Sequence, residues 1–409
     1  MGDGRNLRDR PRFSISADYQ RGKGIASDVS RIRRLWADHA NAHTIHIVLG
    51  RVEYTSCCSS RQDAGPFRMI PHGVTSFANA GAASLNHLVI IASVTALFGL
   101  IDLIWLPFST VNFSPRNWID IGKVAMVLSA SWMASAISLH RLRSDTSPIA
   151  NVIKYLCGCL RIVVVSAAAF IPLAISTTVF MYLASATSRP LADPFLASID
   201  SALGFDWQWF LATTNKPITA SVLVFAYHAL AFQMPLVLLL HAVSNRRDRA
   251  LEFVALLAVS SVFTGAMMAL APAEGAYAYF KPARGLFSNF TADAGMWHHH
   301  VLMALRSGEP FGLIMTNGTG LVTFPSFHTA LGLIVVYAAR DIRALFVVLA
   351  PLNAAMVVAT LPEGGHHLID VVAGTVIGVL SIIAIRIPSY VRRKADSVAR
   401  STVGSEAGR

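Results

Sequence analysis

Four residues in the last quarter of the chain have the types and spacing that chemistry needs. Ser326 and His328 open the apolar run "FPSFHTALGLIVVYAAR", and His366 and Asp370 lie in "GHHLIDVVAG". Polar groups next to lipid are expensive, so each of them needs a partner or a task. His366 and Asp370 are four residues apart and share one face of a helix. A carboxylate in that position fixes the tautomer of an imidazole and makes it a better nucleophile or base. Taken alone, such a pair is more often structural than catalytic.

Distance along the chain strengthens the reading. The 37 residues between His328 and His366 suffice for one span away, a turn at "ARDIRA" and one span back. The hairpin returns both imidazoles to one membrane face, where a division of labour is chemically sensible. His366 can attack phosphorus while Asp370 orients it. His328 can protonate the departing oxygen and later deprotonate the acceptor. Ser326 and the first amides of its helix can hold phosphate oxygens at the positive end of the helix dipole.

The elements that must position these groups follow from composition. The chain has 409 residues, of which 54% are hydrophobic and 14% charged, with a mean hydropathy of +0.52. This is the composition of an all-α polytopic membrane protein. Eight apolar stretches are expected to cross the bilayer, near 86–107, 119–140, 160–187, 218–242, 250–272, 324–341, 343–361 and 367–387. Basic clusters at Arg141/Arg143, Arg246/Arg247/Arg249, Arg340/Arg343 and Arg392/Arg393/Lys394 fall on one side of them. The positive-inside rule then makes both termini cytoplasmic and the histidine face extracytoplasmic, in a plasma or bacterial-type inner membrane. That placement also accounts for the net charge of +11 without a nucleic-acid partner, since no basic patch interleaved with aromatics is present.

Residues 1–75 read as a basic, disordered cytoplasmic tail, with an amphipathic piece at "RIRRLWADH" and no cleaved leader. Residues 76–145 read as an accessory pair of spans, 146–390 as a six-helix core and 391–409 as a second basic tail. Cys57, Cys58, Cys157 and Cys159 form no disulfide framework and no metal half-site. Asp102 and Lys123 are expected to snorkel. Asp193, Asp200 and Asp206 read as capping or solvated carboxylates. His298, His299 and His300 cannot share one helical face, which argues against a metal site built from all three. His367 points away from His366 and reads as packing. Tyr227 and His228 read as a buried hydrogen-bonded pair, with a cavity-lining role as the second choice. No cofactor is called for.

"PSFH" followed by His-x-x-x-Asp resembles the type 2 phosphatidic acid phosphatase superfamily over roughly 160–387. That resemblance implies a six-helix membrane core and a metal-independent phosphohistidine mechanism, with His328 as general acid, His366 as nucleophile and Asp370 as its partner. Two departures stand out. The Lys-x6-Arg-Pro signature is missing, and Thr360 stands where the family has an arginine. "FPSFHTA", "GHHLIDVVAG" and "LAPAEGAYAYF" look closest to the inositol phosphorylceramide synthase branch, which moves a phospho-headgroup between lipids. Arg306, Lys281 and Arg284 are the candidate replacements for the phosphate clamp, alongside Ser326. The expected partners are a membrane lipid substrate and a polyol or lipid acceptor. The alternatives are a plain phosphatase of phosphatidate or isoprenyl diphosphate, and an inactive transporter or lipid-binding protein on the same scaffold. Polarity gathered at one end of two spans, without midplane charges or broken helices, argues against transport.

Overall fold

The computed structural model describes residues 74–406, with side chains described over 83–387. The tail expected before residue 74, with its cysteines and basic stretch, lies outside the described residues. Twelve α-helices are described: α1 Val74–Trp105, α2 Pro115–Arg141, α3 Pro148–Ser185, α4 Asp193–Ala202, α5 Trp207–Thr214, α6 Pro217–Val243, α7 Arg247–Leu270, α8 Ala276–Phe280, α9 His299–Arg306, α10 Phe327–Ala338, α11 Arg343–Ala359 and α12 Leu368–Glu406. The protein is all-α and polytopic, as its hydropathy predicts. Two three-residue strands, β1 (Val111–Phe113) and β2 (Phe311–Leu313), pair in parallel and join two loops at one end of the bundle.

Six of these helices are long and apolar enough to cross a membrane: α1, α2, α3, α6, α7 and the first part of α12. The stretches 324–341 and 343–361 depart from the expectation. They form helices of 12 and 17 residues, which at about 1.5 Å per residue fall short of a hydrocarbon core of about 30 Å. The first residues of the 324–341 stretch are spent on an extended entry to α10, where Ser326 has φ −66° and ψ 99°. The α10–α11 hairpin is therefore carried by its neighbours. Its buried face, with Ile334, Val335, Ala338 and Met356, joins the main core.

Helix α7 is the centre of that core. Leu251, Val254, Ala255, Leu256 and Ala258 are fully buried, and α1, α3, α10 and α12 pack around it. Helix α1 is thus integrated with the bundle, whereas α2 packs on α3 and buries only Asn117 and Ser135. A crevice of about 1200 Å³ between α1, α2 and α3 is lined by apolar side chains and contains none of the histidines. Asp102 faces it, buried and with Oδ1 unpartnered, so this carboxylate does not snorkel as expected. Lys123 is exposed and pairs with Asp120 at 2.9 Å.

At the far end of α10 the turn is pinned by charge. Glu252 accepts from Arg249 at 2.7 Å and from Arg340 at 2.9 Å, and Arg249 also reaches Asp341 at 2.7 Å. At the near end, the segment 273–323 is folded, containing α8, α9 and β2. Asn117 anchors it by donating from Nδ2 to Leu313 O and accepting at Oδ1 from Met315 N–H, both at 2.9 Å. Tyr182 adds a second anchor through its hydroxyl, which accepts from Thr319 N–H at 2.8 Å.

Candidate active site

The starts of α10 and α12 are brought together by backbone contact. The amide of Ser326 donates to Asp370 O at 3.0 Å. Gly374 lies so close to Ser326 O that a Cβ there would sit inside van der Waals contact. Small residues are what permit helix backbones to approach this closely. The free amides at the start of α12 are satisfied from α4, where Asp200 accepts from Leu368 N–H at 2.8 Å and Ile369 N–H at 2.9 Å. A carboxylate at that end also complements the helix dipole.

His366 is fixed on every side. Its N–H donates to Thr360 O at 3.1 Å, and its carbonyl accepts from Trp207 Nε1 at 3.1 Å. Gly365 before it has φ +72° and packs against Gly295, where an added Cβ would come within 2.6 Å of the Gly295 Cα. Only glycine takes that conformation and that approach at no cost. The imidazole Nδ1 lies 2.7 Å from Thr323 O and 3.3 Å from Asp370 Oδ2. Both partners are acceptors, so Nδ1 carries the proton and Nε2 keeps its lone pair. Asp370 is held behind the ring and fully buried, its Oδ2 also accepting from His367 N–H at 2.9 Å.

His366 and His328 line one cavity of about 550 Å³ between α3, α6, α7 and α10. Its lining mixes apolar side chains, among them Phe170, Leu173, Met181, Leu257 and Leu331, with Tyr227, His228, Trp297, His298 and Thr323. Such a mixture suits an amphipathic ligand. The His328 ring stacks on Tyr227 at 4.7 Å with 20° between planes. His298, in the loop before α9, donates from Nε2 to Glu274 O at 3.1 Å. Burial pushes its pKa down to about 4, which keeps it neutral.

The other sequence-nominated residues fall elsewhere. Ser326 is buried, its hydroxyl accepting from Thr329 Oγ1 at 3.0 Å, and it joins helices instead of lining the cavity. Arg306 donates to Thr187 O at 2.8 Å and Arg189 O at 2.6 Å. Arg284 lies over Phe287 and donates to Thr291 O at 3.2 Å. Lys281 lines a separate cavity of about 440 Å³ with Glu274, Tyr277 and His299. None of these three cations lines the histidine cavity, and among the described residues no Lys or Arg does. Thr360, at the position of the missing arginine, is buried with its hydroxyl on Val357 O.

Three features differ from the first choice the sequence offers. His367 is buried between Asp193 at 3.5 Å and Asp200 at 3.6 Å. Burial alone would lower its pKa, but the two carboxylates raise it to about 9. Asp193 also accepts from the amides of Glu274 and Gly275. These bonds and His367 outweigh its burial and hold its carboxyl below the ordinary range. Asp206 does cap its own helix, accepting from Trp209 N–H at 2.9 Å. Second, Tyr227 and His228 both line the cavity, the second choice from the sequence; His228 is half-exposed and bonds Glu363, so the two are not a buried hydrogen-bonded pair. Third, Glu363 is fully buried and receives His228 Nε2–H at 3.1 Å. A carboxylate inside the apolar run "VVATLPEGG" was the signal for it.

Fold and site together define a class: an all-α polytopic membrane protein whose imidazoles converge in one cavity between its helices. A protein-family model described as PAP2 superfamily matches residues 194–384, just under half of the chain and inclusive of both histidine motifs. Over these residues the helical core is similar to the PAP2 superfamily. Neither a curated protein nor a solved structure matches the chain.

Proposed function

We propose that the protein is a membrane phosphotransferase. It takes a phospho-headgroup from a phosphodiester lipid onto His366 and passes it to a hydroxyl acceptor. The observation that carries this reading is the wiring of His366, with Nδ1–H tied to Thr323 O and Asp370 and Nε2 left free at a cavity of mixed apolar and polar lining. In the first half-reaction the Nε2 lone pair attacks phosphorus. The bond from phosphorus to the lipid oxygen breaks, and that oxygen takes a proton from His328. In the second half-reaction the acceptor oxygen attacks phosphorus as its proton passes to an imidazole of the cavity, and the electron pair of the P–N bond returns to Nε2.

The charge of the cavity favours a diester over a monoester. A phosphate monoester or diphosphate carries more than one negative charge and is ordinarily met by fixed cations. A diester carries a single charge and so asks less of a cavity without fixed cations. This cavity has histidines, Thr177, Thr178 and Thr323 on its walls and no Lys or Arg among the described residues. The reading agrees with the resemblance of "FPSFHTA" and "GHHLIDVVAG" to the inositol phosphorylceramide synthase branch. Water in place of the acceptor turns the same chemistry into hydrolysis.

The test is to incubate purified protein with phosphatidylinositol labelled at phosphorus, and in parallel with labelled phosphatidate, with and without hydroxyl acceptors. A labelled transfer product from the diester alone is expected. Release of free phosphate from phosphatidate, with no product from the diester, would make the protein a phosphatase.

A further inference from the structure

The cavity contains a second imidazole wired like the first. His228, on α6, donates from Nε2 to Glu363 Oε1 at 3.1 Å. The Glu363 side chain is wholly buried, whereas 53% of the His228 side chain is exposed, and the ring lines the cavity that His328 and His366 share. Because Nε2–H points at a carboxylate, Nδ1 of His228 is the ring nitrogen with the free lone pair. The Tyr227 ring sits between the two imidazoles. It stacks on His328 at 4.7 Å and meets His228 edge-on at 5.4 Å. Trp297 closes the group, with its ring 6.3 Å from His228.

A purely structural role for this pair does not explain its arrangement. Glu363 already receives Thr291 Oγ1–H at 2.7 Å and Thr291 N–H at 3.3 Å, so its two oxygens have donors without His228. Among the described residues no Lys or Arg pairs with it. The carboxylate serves the imidazole more than the imidazole serves the carboxylate. A buried carboxylate behind a half-exposed histidine is the arrangement that holds one tautomer and aims the free ring nitrogen at the cavity.

We propose that His228, backed by Glu363, is the acceptor site: it binds the attacking hydroxyl and takes its proton in the second half-reaction. This rests on the phosphotransferase reading above and divides its labour between two imidazoles. The acceptor O–H donates to Nδ1 of His228. As its oxygen bonds to phosphorus, the P–N bond to His366 breaks and returns its pair to Nε2, and the proton passes to Nδ1 of His228. His328 then serves the departing lipid alone, and it regains its proton from His228 through solvent in the cavity they share before the next turnover. The ligand class is an uncharged alcohol, a polyol or a lipid hydroxyl, since the binding group is an imidazole and its neighbours are aromatic.

The experiment separates the half-reactions in the purified full-length protein, with phosphatidylinositol labelled at phosphorus as donor and glycerol, myo-inositol or diacylglycerol as acceptor. For His228→Asn, formation of labelled protein and release of the lipid alcohol should stay within about twofold of wild type. Loss of the label to acceptor should slow by about 10²-fold or more, with partial recovery on adding free imidazole. Glu363→Gln should slow the same half by less and shift its pH profile. If His228→Asn discharges to acceptor at the wild-type rate, or if both halves fall together without imidazole rescue, the assignment is wrong while labelled wild-type protein keeps the phosphotransferase reading. Absence of any labelled wild-type protein would overturn both.

Discussion

The buried triad of Asp193, His367 and Asp200 makes stability depend on pH in a calculable way. His367 lies outside the spans, in the turn between α11 and α12, and its pKa is raised from 6.5 to about 9. The folded state therefore binds this proton more tightly than the unfolded chain does. Its contribution is fully present below about pH 6.5, is lost as pH rises toward 9, and is gone above that. A shift of this size corresponds to about 3 kcal/mol. Asp193, whose carboxyl is held below its ordinary range, stays ionised across the window and adds no slope to it. The perturbation is His367→Gln, and the assay is unfolding of both proteins in detergent between pH 6 and pH 10. The stability difference between wild type and variant should be about 3 kcal/mol near pH 6 and should shrink toward high pH. A difference that stays constant across the range would refute the ion triad.

Other substitutions probe the site and its supports. Gly374→Ala forces a methyl against Ser326 O. It should cost about 1–3 kcal/mol as an overpacked contact, read as a lowered melting temperature together with reduced activity. Asp370→Asn should lower the first-half rate by about 10²-fold or more with little change in donor affinity, because it acts on the tautomer of His366; single-turnover kinetics measure it. Arg306→Ala removes two hydrogen bonds to loop carbonyls and should lower thermal stability while leaving the KM for donor lipid within about twofold. A rise of 10²-fold in that KM would instead put Arg306 on the phosphate.

How much of this was legible in the sequence depends on the distance over which each feature acts. The hairpin from His328 to His366 is a matter of helix length, so its return to one end of the bundle follows from counting residues. The His366–Asp370 pair is a matter of helical period. Contacts between remote segments have no such signal. Asp200 is 168 residues from Leu368, whose amide it accepts, and nothing in "LASIDSALG" announces this. Arg306 ranks first as a phosphate ligand because it lies nearer in sequence to Ser326 than Lys281 or Arg284 does, yet its guanidinium is spent on the carbonyls of Thr187 and Arg189. Ser326 had the right chemistry, but Gly374 admits the two helices so closely that the hydroxyl is buried in the junction. Glu363 carried the plainest overlooked signal, an acid in an apolar run. It is the partner of His228, for which the sequence favours a hydrogen bond with Tyr227 over a place on the cavity wall.

The central claim is a covalent intermediate on His366. The direct measurement is rapid quenching of the protein during turnover of a phosphodiester lipid labelled at phosphorus, followed by mass spectrometry of the peptide containing "GHHLIDVVAG". The account predicts an acid-labile, alkali-stable adduct on His366 that disappears when acceptor is added and is absent from His366→Ala, which should also be inactive. Turnover by His366→Ala, or an adduct confined to another residue, would contradict it.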